Sequence, residues 1–113
     1  MHELSLAQAI ADTTARYADG RPVTMVRVRI GHLRQVVPDS LQFAWELLTV
    51  DSVLDGAGLT IEHVPAIVRC AECGGRSHLD LPVLVCGSCG STEVTLETGE
   101  EFQIETIDVA EVA

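Results

Sequence analysis

With 113 residues, 17 acidic side chains against 7 basic ones and a formal charge of −10, the chain is too short for an enzyme with its own substrate domain and too acidic for a nucleic-acid binder. Its 47% apolar and 21% charged content is that of a folded globular domain, not a disordered segment. No stretch reaches the ~20 apolar residues that cross a bilayer, and the start lacks the basic and apolar segments of a secretory signal, so no membrane association and a cytoplasmic residence are expected.

Leu4 to about Ala18 reads as a helix, with Leu6, Ile10 and Tyr17 on one stripe and Ala7 and Thr14 beside it; Gly20 and Pro22 then supply the stop. VTMVRVRIG alternates, Val26, Val28 and Ile30 against Met25, Arg27 and Arg29, which predicts a half-buried strand. In VPDSLQFAWELLTV, Asp39 or Ser40 can cap a second helix whose Leu41, Ala44, Trp45 and Leu48 repeat at i, i+3, i+4, i+7. Phe43 and Leu47 widen that stripe, which predicts the more buried of the two helices. Asp55-Gly56-Ala57-Gly58 makes a turn, LTIEHV a second strand, and Pro65 closes it.

Residues 66–98 change character: they hold all four cysteines and several glycines between short apolar runs. After Gly99, EFQIETIDV alternates again, with Ile107 and Val109 out of phase with Phe102 and Ile104, the mark of a bulge or of pairing that ends. A last strand seeks partners in the first sheet. The expected fold is therefore α+β: a small sheet of about three strands with two helices, built from 1–65 and 99–113, plus an inserted zinc-ribbon-like four-cysteine domain, 66–98.

Cys70-Ala71-Glu72-Cys73-Gly74 and Cys86-Gly87-Ser88-Cys89-Gly90 form C-x2-C-x12-C-x2-C, two matched hooks each followed by glycine. A two-residue spacer turns both sulfurs of a hook inward, and the glycine accepts the positive φ that lets backbone N–H groups face the thiolates. In a reducing compartment such cysteines point to a metal. Four thiolates leave no open position, so the metal, for which the spacing suits zinc, is expected to be structural and to supply folding energy. A one-iron, four-sulfur redox centre and reversible disulfide switching are the competing readings of the same spacing.

The chain opens Met1-His2-Glu3. The α-amine of Met1, the amide nitrogen of His2 and its imidazole can close small rings around one ion, Glu3 can add an oxygen, and nitrogen donors of this kind suit Ni(II) or Cu(II). From three residues alone the ordinary reading is a loose chain end. His32 at a strand end suits a turn contact, His63 a packed or solvated strand position, and His78 between the hooks a neighbour of the metal. No G-x-S-x-G elbow exists, no cysteine is left over, and a chain without lysine cannot carry a phosphate-binding G-x-x-x-x-G-K-[ST] loop, so no enzymatic activity is expected.

MHELSLA, IGHLRQVVPDSLQFAWELL, DGAGLTIEHVPAIVRCAECGG, VLVCGSCGS and GEEFQIETIDV, in this order and over essentially the whole chain, resemble the HypA/HybF family of small nickel metallochaperones for [NiFe]-hydrogenase maturation. The resemblance implies that Met1, His2 and Glu3 bind Ni(II) as transient cargo and that Cys70, Cys73, Cys86 and Cys89 hold Zn(II), in a nickel domain and a zinc domain. It also implies the HypB GTPase and the [NiFe]-hydrogenase large subunit precursor as partners, with a homodimer left open. Gly87 stands where many relatives carry proline, an exchange that loosens the hook but spares its ligands. The rival reading is a structural zinc-ribbon adaptor or interaction module in which the N-terminus does nothing.

Overall fold

A computed structural model describes residues 2–110. The chain divides into two compact units, one of the described residues up to Val28, Val36–Glu62 and Gln103 onward, the other of Arg29–Gln35 and His63–Phe102. Met1, assigned above to the nickel ligands, lies outside the described residues.

The first helix, α1 (His2–Ala18), ends in Asp19 and Gly20 at positive φ and leads into β1 (Val23–Gly31). A 3-10 turn (His32–Arg34) then precedes α2 (Pro38–Thr49) and β2 (Gly58–Val64). Two anchors fix strand directions. Gly58 lies against Met25, whereas His63 bonds with His32, so β2 runs alongside β1 in the same direction, and α2 is the crossover that parallel pairing requires. The final strand, β6 (Phe102–Val109), returns antiparallel: Ala110 N–H donates to the Pro22 carbonyl at 2.8 Å and Arg27 pairs with Asp108 at 3.0 Å. The sheet order β2-β1-β6 is the expected three-stranded sheet rejoined by the last segment. Glu105 and Thr106 are both exposed, and there the alternation of β6 changes phase.

The helices correct three expectations. On α1 the buried stripe is Ala7, Ile10, Ala11, Thr14 and Ala18, while Tyr17 is 71% exposed. Periodicity locates a face only to within a residue or so, and here small side chains win because they let α1 come close to α2. On α2, Leu41, Ala44 and Trp45 are buried, but Phe43 and Leu47 are 64% and 58% exposed, so the stripe is not widened. Trp45 donates its indole N–H to the Ala57 carbonyl at 2.9 Å and Gln42 its amide to the Leu59 carbonyl at 2.6 Å, which rolls that face toward the 55–58 turn and β2. Nor do Asp39 or Ser40 cap α2: Val37 is the N-cap and Pro38 fills the first turn, where its missing N–H costs nothing.

In the second unit β3 (Ala66–Cys70) pairs antiparallel with β4 (Arg76–Leu79) on one side and β5 (Val94–Thr98) on the other, with an irregularity between Ile67 and Val68. Ala66, Val68 and Leu79 form its small core, with Leu33, Val94 and Leu96 against it. Two glycines let segments touch backbone to backbone. A Cβ on Gly31 would sit 2.1 Å from the Gly99 carbonyl, and Gly99, at φ +124, lies where a Cβ would meet Ala66 Cα at 2.6 Å. The contact is held by Gly31 N–H to the Glu101 carbonyl and Leu33 N–H to the Gly99 carbonyl, both 2.8 Å.

Thr14 is fully buried, and its hydroxyl finds no hydrogen-bond partner among the described residues. A buried orphan hydroxyl destabilises, and valine has nearly the same shape. Thr14→Val is expected to raise unfolding free energy by about 1 kcal/mol in urea titrations; a loss of stability would show that the hydroxyl is bonded in solution.

Candidate metal centre

The cysteine cluster grows out of strand and turn chemistry. Cys70 is the last residue of β3; its N–H donates to the Gly75 carbonyl at 2.9 Å, and Gly74, at φ +73, returns its own N–H to the Cys70 carbonyl at 3.0 Å. The second hook repeats the pattern, with Cys86 N–H to the Ser91 carbonyl at 2.8 Å and Gly90, at φ +76, back to the Cys86 carbonyl at 3.0 Å. Only a residue tolerant of the left-handed region closes these turns without strain.

Both turns aim amide groups at sulfur. Cys73 N–H reaches Cys70 Sγ at 3.5 Å and Gly75 N–H reaches Cys73 Sγ at 3.4 Å, while Ser88 and Cys89 N–H groups reach Cys86 Sγ at 3.4 and 3.5 Å. The four sulfurs lie within 4.8 Å of one another, with Cys70–Cys89 and Cys73–Cys86 both 3.6 Å apart. A tetrahedral Zn–S₄ centre has sulfur–sulfur edges of about 3.8 Å, so the cage fits such an ion with little movement. Cys70 and Cys86 are buried and Cys73 and Cys89 exposed. The sequence-predicted set Cys70, Cys73, Cys86 and Cys89 is thus brought together.

Gly87 does not loosen its hook. Its N–H donates to Ser77 Oγ on β4 at 3.0 Å, a bond proline could not make, and a Cβ there would press on Ser77 at 3.1 Å. Ser77, which sequence reasoning passed over, ties the second hook to the sheet; His78 beside it is exposed, opposite Ile67.

The thiols divide into unlike pairs. Amide bonds from Cys89 and Ser88 pull Cys86 down to about 6, and the Cys73 amide lowers Cys70. At Cys89 the Ser91 amide pulls downward, but hydrogen bonds with the Cys70 and Cys86 thiols outweigh it and push the group up to about 12. At Cys73 the Gly75 amide is likewise outweighed by the thiols of Cys86 and Cys70, leaving it raised. Amide bonds therefore favour the thiolate at Cys70 and Cys86, and the thiol–thiol bonds favour the protonated form at Cys73 and Cys89.

At the other predicted site, His2 is exposed on the first turn of α1. Glu3 Oε2 accepts the Val37 N–H at 3.1 Å, taking up a donor at the entrance to α2 that no local side chain serves. That amide bond lowers the carboxyl from its ordinary value, so Glu3 is ionised at neutral pH. Exposed Phe43 and Leu47 line a groove with Leu4 and Glu3.

A sheet crossed by α2, and a second sheet whose hooks gather four cysteine sulfurs able to hold a metal ion, define a small α+β protein with a candidate metal centre. The sequence profile of HypA, described as a hydrogenase/urease nickel incorporation metallochaperone, matches residues 1–109. Similar curated proteins include the hydrogenase maturation factor HypA of Nostoc punctiforme, 38% identical over 112 residues covering 99% of this chain and 98% of that protein. That of Streptomyces avermitilis is 41% identical, covering 95% and 86%. The solution structure of the Ni metallochaperone HypA from Helicobacter pylori shares the fold, with a TM-score of 0.64 at 20% identity over 96% of this chain and 97% of that one. The chain belongs to the HypA family, a family of hydrogenase maturation factors and nickel metallochaperones and not of enzymes. No helix among the described residues is long and apolar enough to cross a membrane.

Metal uptake needs four thiolates, and protons on Cys73 and Cys89 must leave first. Affinity for Zn(II), measured against a chelator of known pH dependence, should therefore climb by at least about a hundredfold per pH unit near neutrality and more steeply below about pH 6, where Cys86 also takes a proton. A dependence of less than one proton would contradict the thiol pairing.

Proposed function

We propose that the protein takes up Ni(II) at His2 and Glu3, with the Met1 amine, and delivers it during [NiFe]-hydrogenase maturation, while Cys70, Cys73, Cys86 and Cys89 keep a structural Zn(II). Family membership over nearly the whole chain carries this reading. The contrast between donor sets supports it: nitrogen and oxygen donors at an exposed helix start suit an exchangeable borderline ion, and four converging sulfur donors, two of them buried, suit a retained one.

On this reading His2 supplies an imidazole, and the ionised Glu3 supplies a carboxylate oxygen that the Val37 amide already orients. Zinc, held by the four thiolates, supplies rigidity to the hooks and no open coordination position. The nickel domain comprises 1–65 and 99–113 and the zinc domain 66–98. The HypB GTPase and the hydrogenase large subunit precursor are the partners, the cell compartment is the cytoplasm, and a homodimer is compatible with all of this.

His2→Ala should remove the tight phase of Ni(II) uptake in calorimetric titration while zinc content and circular dichroism stay unchanged. Two added residues ahead of Met1 should do the same. Unaltered tight nickel binding in both variants would leave the adaptor reading in place and refute this one.

A further inference from the structure

Outside the two metal sites, the second unit holds a histidine pair. His32 Nδ1 and His63 Nε2 are 3.0 Å apart, with the rings edge-on at 84° and centroids 5.1 Å apart. His32 Nε2 lies 2.7 Å from the Asp80 carbonyl oxygen. A carbonyl only accepts, so His32 carries its proton on Nε2 and presents the Nδ1 lone pair toward His63. A backbone carbonyl holding one ring nitrogen so that the other keeps its lone pair is the arrangement that orients metal-ligating histidines.

We propose that His32 Nδ1 and His63 Nε2 form a second, shallow binding site for a late first-row divalent ion such as Ni(II) or Zn(II). Two imidazole nitrogens bound to one ion at about 2.0–2.1 Å are about 2.9 Å apart at a right angle and about 3.4 Å apart in a tetrahedron, and the observed separation falls between these limits. Uptake exchanges a bond for a bond: the His63 Nε2–H that bridges to His32 moves to His63 Nδ1, and the two lone pairs turn from each other toward the ion. Both side chains are open enough for that rotation, His32 half-buried and His63 exposed.

Among the described residues, the only group of three or more His, Cys, Asp or Glu donors is the cysteine cluster. The pair therefore offers two ligands, and water or a donor of a docking protein completes the shell. Such a site is weaker than a four-thiolate cage and exchanges quickly. It stands independently of the N-terminal nickel reading.

The test uses the full-length, zinc-loaded His2→Ala protein, titrated with Ni(II) chloride in calorimetry. One residual weak equivalent is expected, and either His32→Gln or His63→Gln should weaken it at least about tenfold, while His78→Gln leaves it unchanged. Should the glutamine variants lose their fold, ring signals of His32 and His63 in the unsubstituted pair still report: Ni(II) should broaden them at lower concentration than those of His78. Absence of a residual equivalent, an equivalent indifferent to both substitutions, or broadening that reaches His78 first would overturn the site. Absence of this equivalent in the His2→Ala protein, with tight uptake by the unsubstituted protein intact, would refute the pair alone and leave the N-terminal reading standing.

Discussion

Four sulfurs held within 4.8 Å of one another are the constraint on which the second unit depends. Ionised together they repel, and protonated they offer little cohesion; a cation at their centre turns the same geometry into the strongest contact in the unit. The apolar core available there is small, chiefly Ala66, Val68 and Leu79, and cannot by itself order the loops between β3, β4 and β5. The hooks are built to accept the ion: left-handed Gly74 and Gly90 close the turns, and amides face Cys70, Cys73 and Cys86. Ser77 and Gly87 then transmit the fixed geometry of the second hook to β4.

The first unit is held by different physics. Small residues of α1 pack beside α2, and Trp45 combines burial with an indole bond to the Ala57 carbonyl. Glu3 serves two ends at once: it takes the Val37 amide at the entrance to α2, and in the proposed function it is also a nickel ligand. A carboxylate tied to the fold is less easily displaced than one on a frayed terminus, and would give the proposed site a fixed floor.

The cysteine set was readable because its information is local: spacer length and following glycine specify a hook without reference to the rest of the chain. The strands themselves followed from alternation for the same reason, and the return of the last one from the need of an exposed strand for partners. What escaped is non-local. Periodicity assigned Tyr17, Phe43 and Leu47 to buried stripes, yet which edge of an apolar face turns inward is set by the neighbour it meets, here through Ala7, Ala11 and the bond from Gln42 to Leu59. His32 and His63, 31 positions apart, meet because β1 and β2 run in the same direction and end side by side, a pairing that alternation does not reveal. The close approach of Gly31 to Gly99 depends on the same topology.

The central claim is a division of labour by donor chemistry, with sulfur for the resident ion and nitrogen and oxygen for the cargo. X-ray absorption at the zinc and nickel edges of one sample carrying both metals, prepared with its native start, addresses it directly. The zinc shell should contain four sulfurs at about 2.3 Å and no lighter donor, and the nickel shell only nitrogen and oxygen. Sulfur in the nickel shell, or nitrogen in the zinc shell, would contradict the account.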